Sequence, residues 1–357
     1  MVASRFFAAL ATITVTVVAA KAIPSLDQTL RAVFQRSTKV PFEQVQFLYS
    51  PNSTHKPIQI KLESDGRGTW KHTILQPLIL ARTVSVDDGK TWTTYSADRR
   101  TISKTESPRL SSREVQRRLA LLKANYTTEI SYGEEIADRR TLLVVATPKS
   151  SEMPIRRMWI DPQTNILLRS AQTVGGKTFR LLDTVIFATG DEATPDTDIE
   201  YDTSDWREQS DQLGRTIQSP REAHGTMGRT LRLPTNWPMG FTPVKMIVIP
   251  SETMPMLSVR LSDGLSTATL YWFRRSGQSS SFSVAYGNSV GRTAEGMSYQ
   301  VVSDLPNTIN TRLLEAVVKI NPGTLDQSGK SQGTNRASTP VSTNKPARTV
   351  ERNEHNP

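Results

Sequence analysis

Four histidines, His55, His72, His224 and His355, are the side chains of this chain best matched to proton transfer near neutral pH. They stand alone. No H-E-x-x-H, G-x-S-x-G or phosphate-binding glycine loop occurs in the strand and helix context that would give it chemistry. A Ser-His-Asp set assembled by the fold is the one catalytic arrangement left open, since triads are defined by geometry and not by order. The sequence has no cysteine, which removes thiol nucleophiles, thiolate metal sites and disulfides. The acidic stretch "GDEATPDTDIEYDTSDWREQSDQ" lacks the ordered D-x-[DN]-x-[DN]-G loop with a closing Glu that holds calcium. These residues point to no cofactor, no metal ion and no enzyme activity. Aromatic and long aliphatic residues offer a different chemistry. Trp92, Tyr95, Trp159, Leu168 and Phe179 lie on alternating runs expected to form one sheet. If that sheet curves without closing, its inner face is an apolar groove able to take an acyl chain or an apolar peptide segment. Each of them, taken singly, also fits an ordinary core position.

The elements that must position these residues follow from periodicity. "SLDQTLRAVFQRS" sets Leu26, Leu30, Val33 and Phe34 at helical spacing behind Ser25 as N-cap. From Phe42 to Lys104 short alternating runs are punctuated by Gly, Asp and Pro, as in an antiparallel meander with a turn at Asp88-Gly89. "SSREVQRRLALLKAN" predicts a second helix burying Val115, Leu119 and Leu122. Strands resume up to Ala188, and Asp161-Pro162 with Asn165 predicts a tight turn. The expected fold is α+β and mainly antiparallel, an unclosed β-barrel over residues 23–190 with helices on its concave side. Residues 191–224 read as an acidic, solvated linker. A smaller α+β domain over 225–321 follows, closed by a helix that buries Leu313, Leu314, Val317 and Val318. Residues 322–357 are polar and poor in aromatics, and are expected to be a disordered tail.

The ends and the charge bear on location and partners. Residues 1–22 carry Arg5, an apolar run from Phe6 to Ala20 and an Ala20-Lys21-Ala22 cleavage site, the pattern of a signal peptide cleaved after Ala22. The run is shorter than the ~20 residues that span a bilayer. The mature protein is therefore expected in a bacterial periplasm. Net charge is +10, but no Lys/Arg block concentrates it, so nucleic acid is not an expected partner.

The stretch "LSVRLSDGLSTATLYWF", residues 257–273, predicts a hairpin turning at Asp263-Gly264. A two-residue turn pairs Leu261 with Ser266, Val259 with Ala268 and Leu257 with Leu270 on one apolar face, with Arg260 opposite Thr267 and Ser258 opposite Thr269 on the other. Gly264 is expected to need positive φ.

The leader, the opening helix and the meander containing "SVDDGKTWTTYSADRRTISK" resemble the LolA/LolB-type lipoprotein-carrier fold. "ANYTTEISYGEEIADRRTLLVVATPK" and "RRMWIDPQTNILLRSAQTVGGK" are similar to the second half of that fold in the RseB/MucB family, with Arg157, Trp159 and Asp161 leading into Thr164-Asn165-Ile166. "LPTNWPMGF" and Ser262, Asp263, Gly264, Leu265 and Phe273 resemble that family's second domain, and "GRTAEGMSYQVVSDLP" its last strands. The first strands lack the family's Y-x-G-x-F motif, and the hairpin has Thr269 and Tyr271 where Ser and Val are commoner. The resemblance implies a periplasmic regulator of envelope-stress sigma-factor signalling. Such a protein binds the periplasmic domain of a membrane-anchored anti-sigma factor and is released by a lipid-like signal. A periplasmic carrier of lipid or lipoprotein acyl chains is the alternative.

Overall fold

The structure, a computed structural model, describes residues 23–35, 39–50, 56–77, 80–209, 214–250, 254–274, 287–294 and 296–321. The expected signal peptide and tail, with His55 and His355, lie outside the described residues. Helix α1 (Leu26–Gln35) is followed by β1 (Phe42–Tyr49), β2 (Ile58–Ser64), β3 (Trp70–Gln76), β4 (Thr83–Asp87), β5 (Thr91–Ser96) and β6 (Thr101–Glu106). Helix α2 (Ser112–Asn125) leads into β7 (Tyr126–Tyr132), β8 (Leu142–Pro148), β9 (Ile155–Ile160), β10 (Leu167–Val174) and β11 (Lys177–Thr189). Then come β12 (Arg207–Gln209), β13 (Arg215–Ile217), the one-turn α3 (His224–Met227), β14 (Thr242–Ile249), β15 (Met256–Ser262), β16 (Thr267–Arg274), β17 (Asn288–Ala294), β18 (Met297–Ser303) and α4 (Asn307–Ile320).

Twelve strands form one sheet in the order β12-β6-β5-β4-β3-β2-β1-β11-β10-β9-β8-β7. Its two ends do not pair, so the sheet is open. All its pairings are antiparallel except β12 on β6. Its two halves are joined by β1, whose residues from Phe42 to Tyr49 pair with those from Thr189 back to Leu181 on β11. Cross-strand partners share a face, so the register links Val144, Met158, Ser170, Leu182, Leu48, Gln46, Ile60, Gln44, Leu62, His72 and Ser85 on one side of the sheet. The helices lie on that side: Leu30 of α1 and Val115, Leu119 and Leu122 of α2 pack with Val144, Ala146, Met158 and Ile160. Ser111 and Glu114 form a reciprocal capping box that starts α2.

The second unit is a six-stranded antiparallel sheet, β13-β14-β15-β16-β18-β17, with α4 among the residues of its core. Leu257, Val259, Leu261, Ala268, Leu270 and Trp272 form one buried row against Leu313 and Val317. Leu257, Val259, Leu261, Ala268 and Leu270 thus lie on the expected face, but the pairing is shifted by two. Leu261 faces Ala268, Val259 faces Leu270, Leu257 faces Trp272, Arg260 faces Thr269 and Ser258 faces Tyr271. The cause is a four-residue turn. The Asp263 carboxylate accepts the backbone N–H groups of Leu265 and Ser266 at 2.9 and 2.7 Å, and the Asp263 N–H meets the Ser266 carbonyl at 3.4 Å to close the turn. Asp88 makes the same bonds to Lys90 and Thr91, and Asp161 to Gln163 and Thr164. Asn165 takes the expected left-handed conformation at φ 58°.

The acidic stretch is a solvent-facing strap bonded to the sheet and not a free linker. It crosses the outer face of the first sheet strand by strand: Thr194 N–H donates to Glu43, Asp196 N–H to Glu63, and Lys71 Nζ to the Asp198 carbonyl. Trp206 then packs on Tyr95 at 6.5 Å, and Arg207 opens β12 on the β6 edge. The carboxylates of Asp196 and Asp202 accept backbone N–H groups two residues on, so the acidity caps local turns. The core of the second unit includes Ile217, Ala223 and Met227, so it begins before residue 225.

Candidate functional site

The five groove candidates do not share a face. Trp92 pairs with Asp87 and lies on the helix-bearing side, where its Nε1 donates to Thr94. Leu168 is fully buried in the core with Phe42, Leu62 and Trp70. Tyr95, three residues from Trp92, points to the outer face under the strap. Trp159 is also outward, with the Arg169 guanidinium 5.6 Å from its ring. Phe179 alternates with Arg180 and is outward too. Alternation was read along each run, but the faces of separate strands are related only through register.

The helix-bearing face mixes aromatic rings with buried polar side chains. Phe42, Trp70, His72 and Trp92 form a chain of rings with neighbouring centroids 5.0, 6.4 and 4.7 Å apart. Buried Gln44 donates to Thr184 Oγ1 at 2.6 Å and to the Leu167 carbonyl at 3.1 Å. Asp87, fully buried, is held by Arg109 at 2.9 Å. His224 is remote from this face, on α3, where its Nδ1 is 3.1 Å from Thr230 Oγ1. Among the described residues no group of three or more His, Asp or Glu is placed to hold a metal ion.

The rest of that face is occupied by the second unit. The Asp263–Ser266 turn enters it, and Leu265, 2% exposed, joins the core of Leu30, Leu119 and Ile160. Burial of such a side chain is worth about 2 kcal/mol. The surrounding polar atoms are satisfied across the junction. Arg118 donates to the carbonyls of Gly264 and Leu265 at 2.9 and 2.8 Å, Asn125 to those of Gly240 and Asp263 at 3.0 and 2.8 Å, and Arg117 to that of Pro243. Gly264 is required here: φ is +110°, and a Cβ would lie 2.7 Å from Leu122 Cα. Tyr126 Oη donates to Asp263 at 2.6 Å. Burial pushes both groups up; at the phenol the Asp263 charge adds to burial, while at Asp263 the Tyr126 hydrogen bond opposes it.

Beside the turn, Arg156 on β9, Gln172 on β10 and Arg180 on β11 form one row, for Gln172 pairs with both arginines. All three meet one oxygen of Asp304 from the second unit, at 3.5, 3.0 and 3.9 Å. Burial pushes the Asp304 carboxyl up, but Arg156 and Arg180 outweigh it and hold it below the ordinary range. Burial, reinforced by Arg156, lowers Arg180. The sequence reading missed this cluster. Its signal was there: positions 156, 158 and 160 share a face, and Arg156 interrupts it beside Met158 and Ile160.

No known protein-family model matches this sequence, and no curated protein sequence matches it. Solved structures do. The chain is similar to MucB in the Pseudomonas aeruginosa MucA/MucB complex, at 15% identity and a TM-score of 0.54, covering 80% of this chain and 95% of that one. It is similar to MucB determined alone at 16% identity and a TM-score of 0.51, covering 81% and 96%. A LolA superfamily protein from Nitrosomonas europaea is matched at 8% identity and a TM-score of 0.23, over 47% of this chain and 92% of that one. The likeness to MucB extends through both units, so the fold is the one the sequence resemblance implies.

Proposed function

We propose that this protein is a periplasmic regulator of sigma-factor signalling that binds the periplasmic segment of a membrane-anchored anti-sigma factor, without enzymatic activity. One observation carries the reading: the fold likeness runs through both units to a MucB structure that holds MucA. The leader-like N-terminus and the two-domain sequence resemblance support it independently. Capture from envelope extracts should recover a single-span anti-sigma protein. Recovery of none under gentle conditions would sink the proposal.

Release by a lipid-like signal belongs to the same proposal. An acyl chain competing for the helix-bearing face has, among the described residues of that core, one apolar group of the second unit to displace, Leu265. A ligand that prefers the protein with this turn withdrawn weakens any partner that needs it seated, by reciprocal linkage. Native mass spectrometry after detergent-free purification should show bound lipid, and adding that lipid should weaken capture of the partner. A consistently empty protein that keeps its partner would remove the lipid arm.

A further inference from the structure

We propose that the Arg156–Gln172–Arg180 row is a receptor for a phosphate group, kept closed by Asp304 of the second unit. Charge and hydrogen bonding at the junction both point this way. Two guanidinium groups share one oxygen of a single ion-paired carboxylate, Asp304, while Arg156 also lies within electrostatic reach of buried Asp263. Arg180 approaches Asp304 no closer than 3.9 Å, beyond hydrogen-bond distance, and among the described residues this is its one ion pair. Arg156 reaches Asp304 at 3.5 Å and gives its other bond to the Leu265 carbonyl. The carboxylate therefore fills the row loosely. A phosphate, with more charge and three acceptor oxygens, takes both guanidinium forks at full strength.

The middle of the row decides between anions. Gln172 is 3% exposed; its amide N–H donates to Asp304, while its Oε1 is buried with no hydrogen-bond partner among the described residues. Leaving such an acceptor unmade costs about 1–3 kcal/mol. A carboxylate or a sulfate has no proton for it. A singly protonated phosphate has one O–H to donate, so it can satisfy the guanidinium donors and the orphan acceptor together. The side chains of Arg180 and Asp304 are each about a quarter exposed, which opens the row to solvent.

The test is titration calorimetry with inorganic phosphate and with sulfate at about pH 8, where the singly protonated phosphate dianion predominates. The full mature chain, Asp304→Asn and Arg180→Met are compared, with thermal melting of each to confirm folding. Phosphate should bind the unmodified chain in preference to sulfate. Asp304→Asn, which removes the internal competitor, should bind it about tenfold more tightly. Arg180→Met should lose binding while still folded. Absence of phosphate binding by a folded Asp304→Asn protein would overturn the proposal, and so would equal affinity for sulfate. Phosphatidylcholine vesicles with and without phosphatidic acid identify the source. Phosphatidic acid-dependent retention that Arg180→Met abolishes assigns a lipid headgroup. Phosphate binding without retention assigns a free phosphate. Retention that Arg180→Met leaves unchanged, with no phosphate binding, overturns the receptor. Loss of the anti-sigma partner leaves each of these outcomes intact, so the two proposals fail separately.

Discussion

Gly264 and Leu265 show how much one turn is asked to do. Replacing Gly264 by Val forces a β-branched residue to φ +110° and drives its Cβ into the backbone of α2 at Leu122. Thermal melting should fall well below that of the unmodified protein, and an unchanged midpoint would contradict the docked turn. Leu265→Ala leaves the backbone intact and removes only packing. Its expected cost is about 2–4 kcal/mol in denaturant unfolding, as for other buried leucines. Tyr126→Phe isolates the buried hydrogen bond instead, since Asp263 keeps its two backbone donors but loses the phenol. That change should cost about 1–3 kcal/mol. It also removes a donor that favours the Asp263 carboxylate, so the carboxyl should move further up. Because the folded value is already raised, the contribution of Asp263 is full at low pH and is lost as pH rises through that folded value.

Among the elements, α2 joins the two units, since one face reaches the first sheet through Val115, Leu119 and Leu122 and another reaches the second unit through Arg117, Arg118 and Asn125. Its start rests on the Ser111–Glu114 capping box. Ser111→Ala should cost about 1 kcal/mol of stability, read by denaturant unfolding, and should leave the β-sheet far-UV signature in place. The elements themselves were largely legible. Leu26, Leu30, Val33 and Phe34 on α1 and the apolar row of the β15–β16 hairpin follow from spacing alone, because period decides which side of an element meets the core. The turn at Asp263 was legible by residue type but not by length. Asp-Gly fits a two-residue turn as well as a four-residue one, and the choice depends on α2, more than 135 residues away in the chain. The groove candidates are split between two faces for a related reason. Trp92 and Tyr95 look like neighbours on one strand, yet three residues of separation puts them on opposite faces. The acidic stretch is attached in a way its charge does not reveal, since Trp206, 5.3 Å from Tyr201, also packs on Tyr95 of the sheet at 6.5 Å.

For the whole molecule, the ion cluster at Asp304 makes the junction between units sensitive to acid. The Asp304 carboxyl is held below its ordinary value of 3.8, so its contribution is complete above that value and is lost as pH falls through the lower folded one. Acid unfolding followed by the signal of the inter-unit contact should therefore have an Asp304-dependent limb that Asp304→Asn removes. An identical acid profile for both proteins would show that the cluster does not hold the units together. The long seam between β1 and β11 has a consequence for synthesis. Strand β1 leaves the ribosome roughly 140 residues before its partner, so closing the seam requires a large loop to be drawn in. Such non-local pairings fold slowly. Until residue 189 has emerged, Val45 and Phe47 belong to an open edge, which makes the nascent half-sheet the point at which chaperones and proteases compete for this chain.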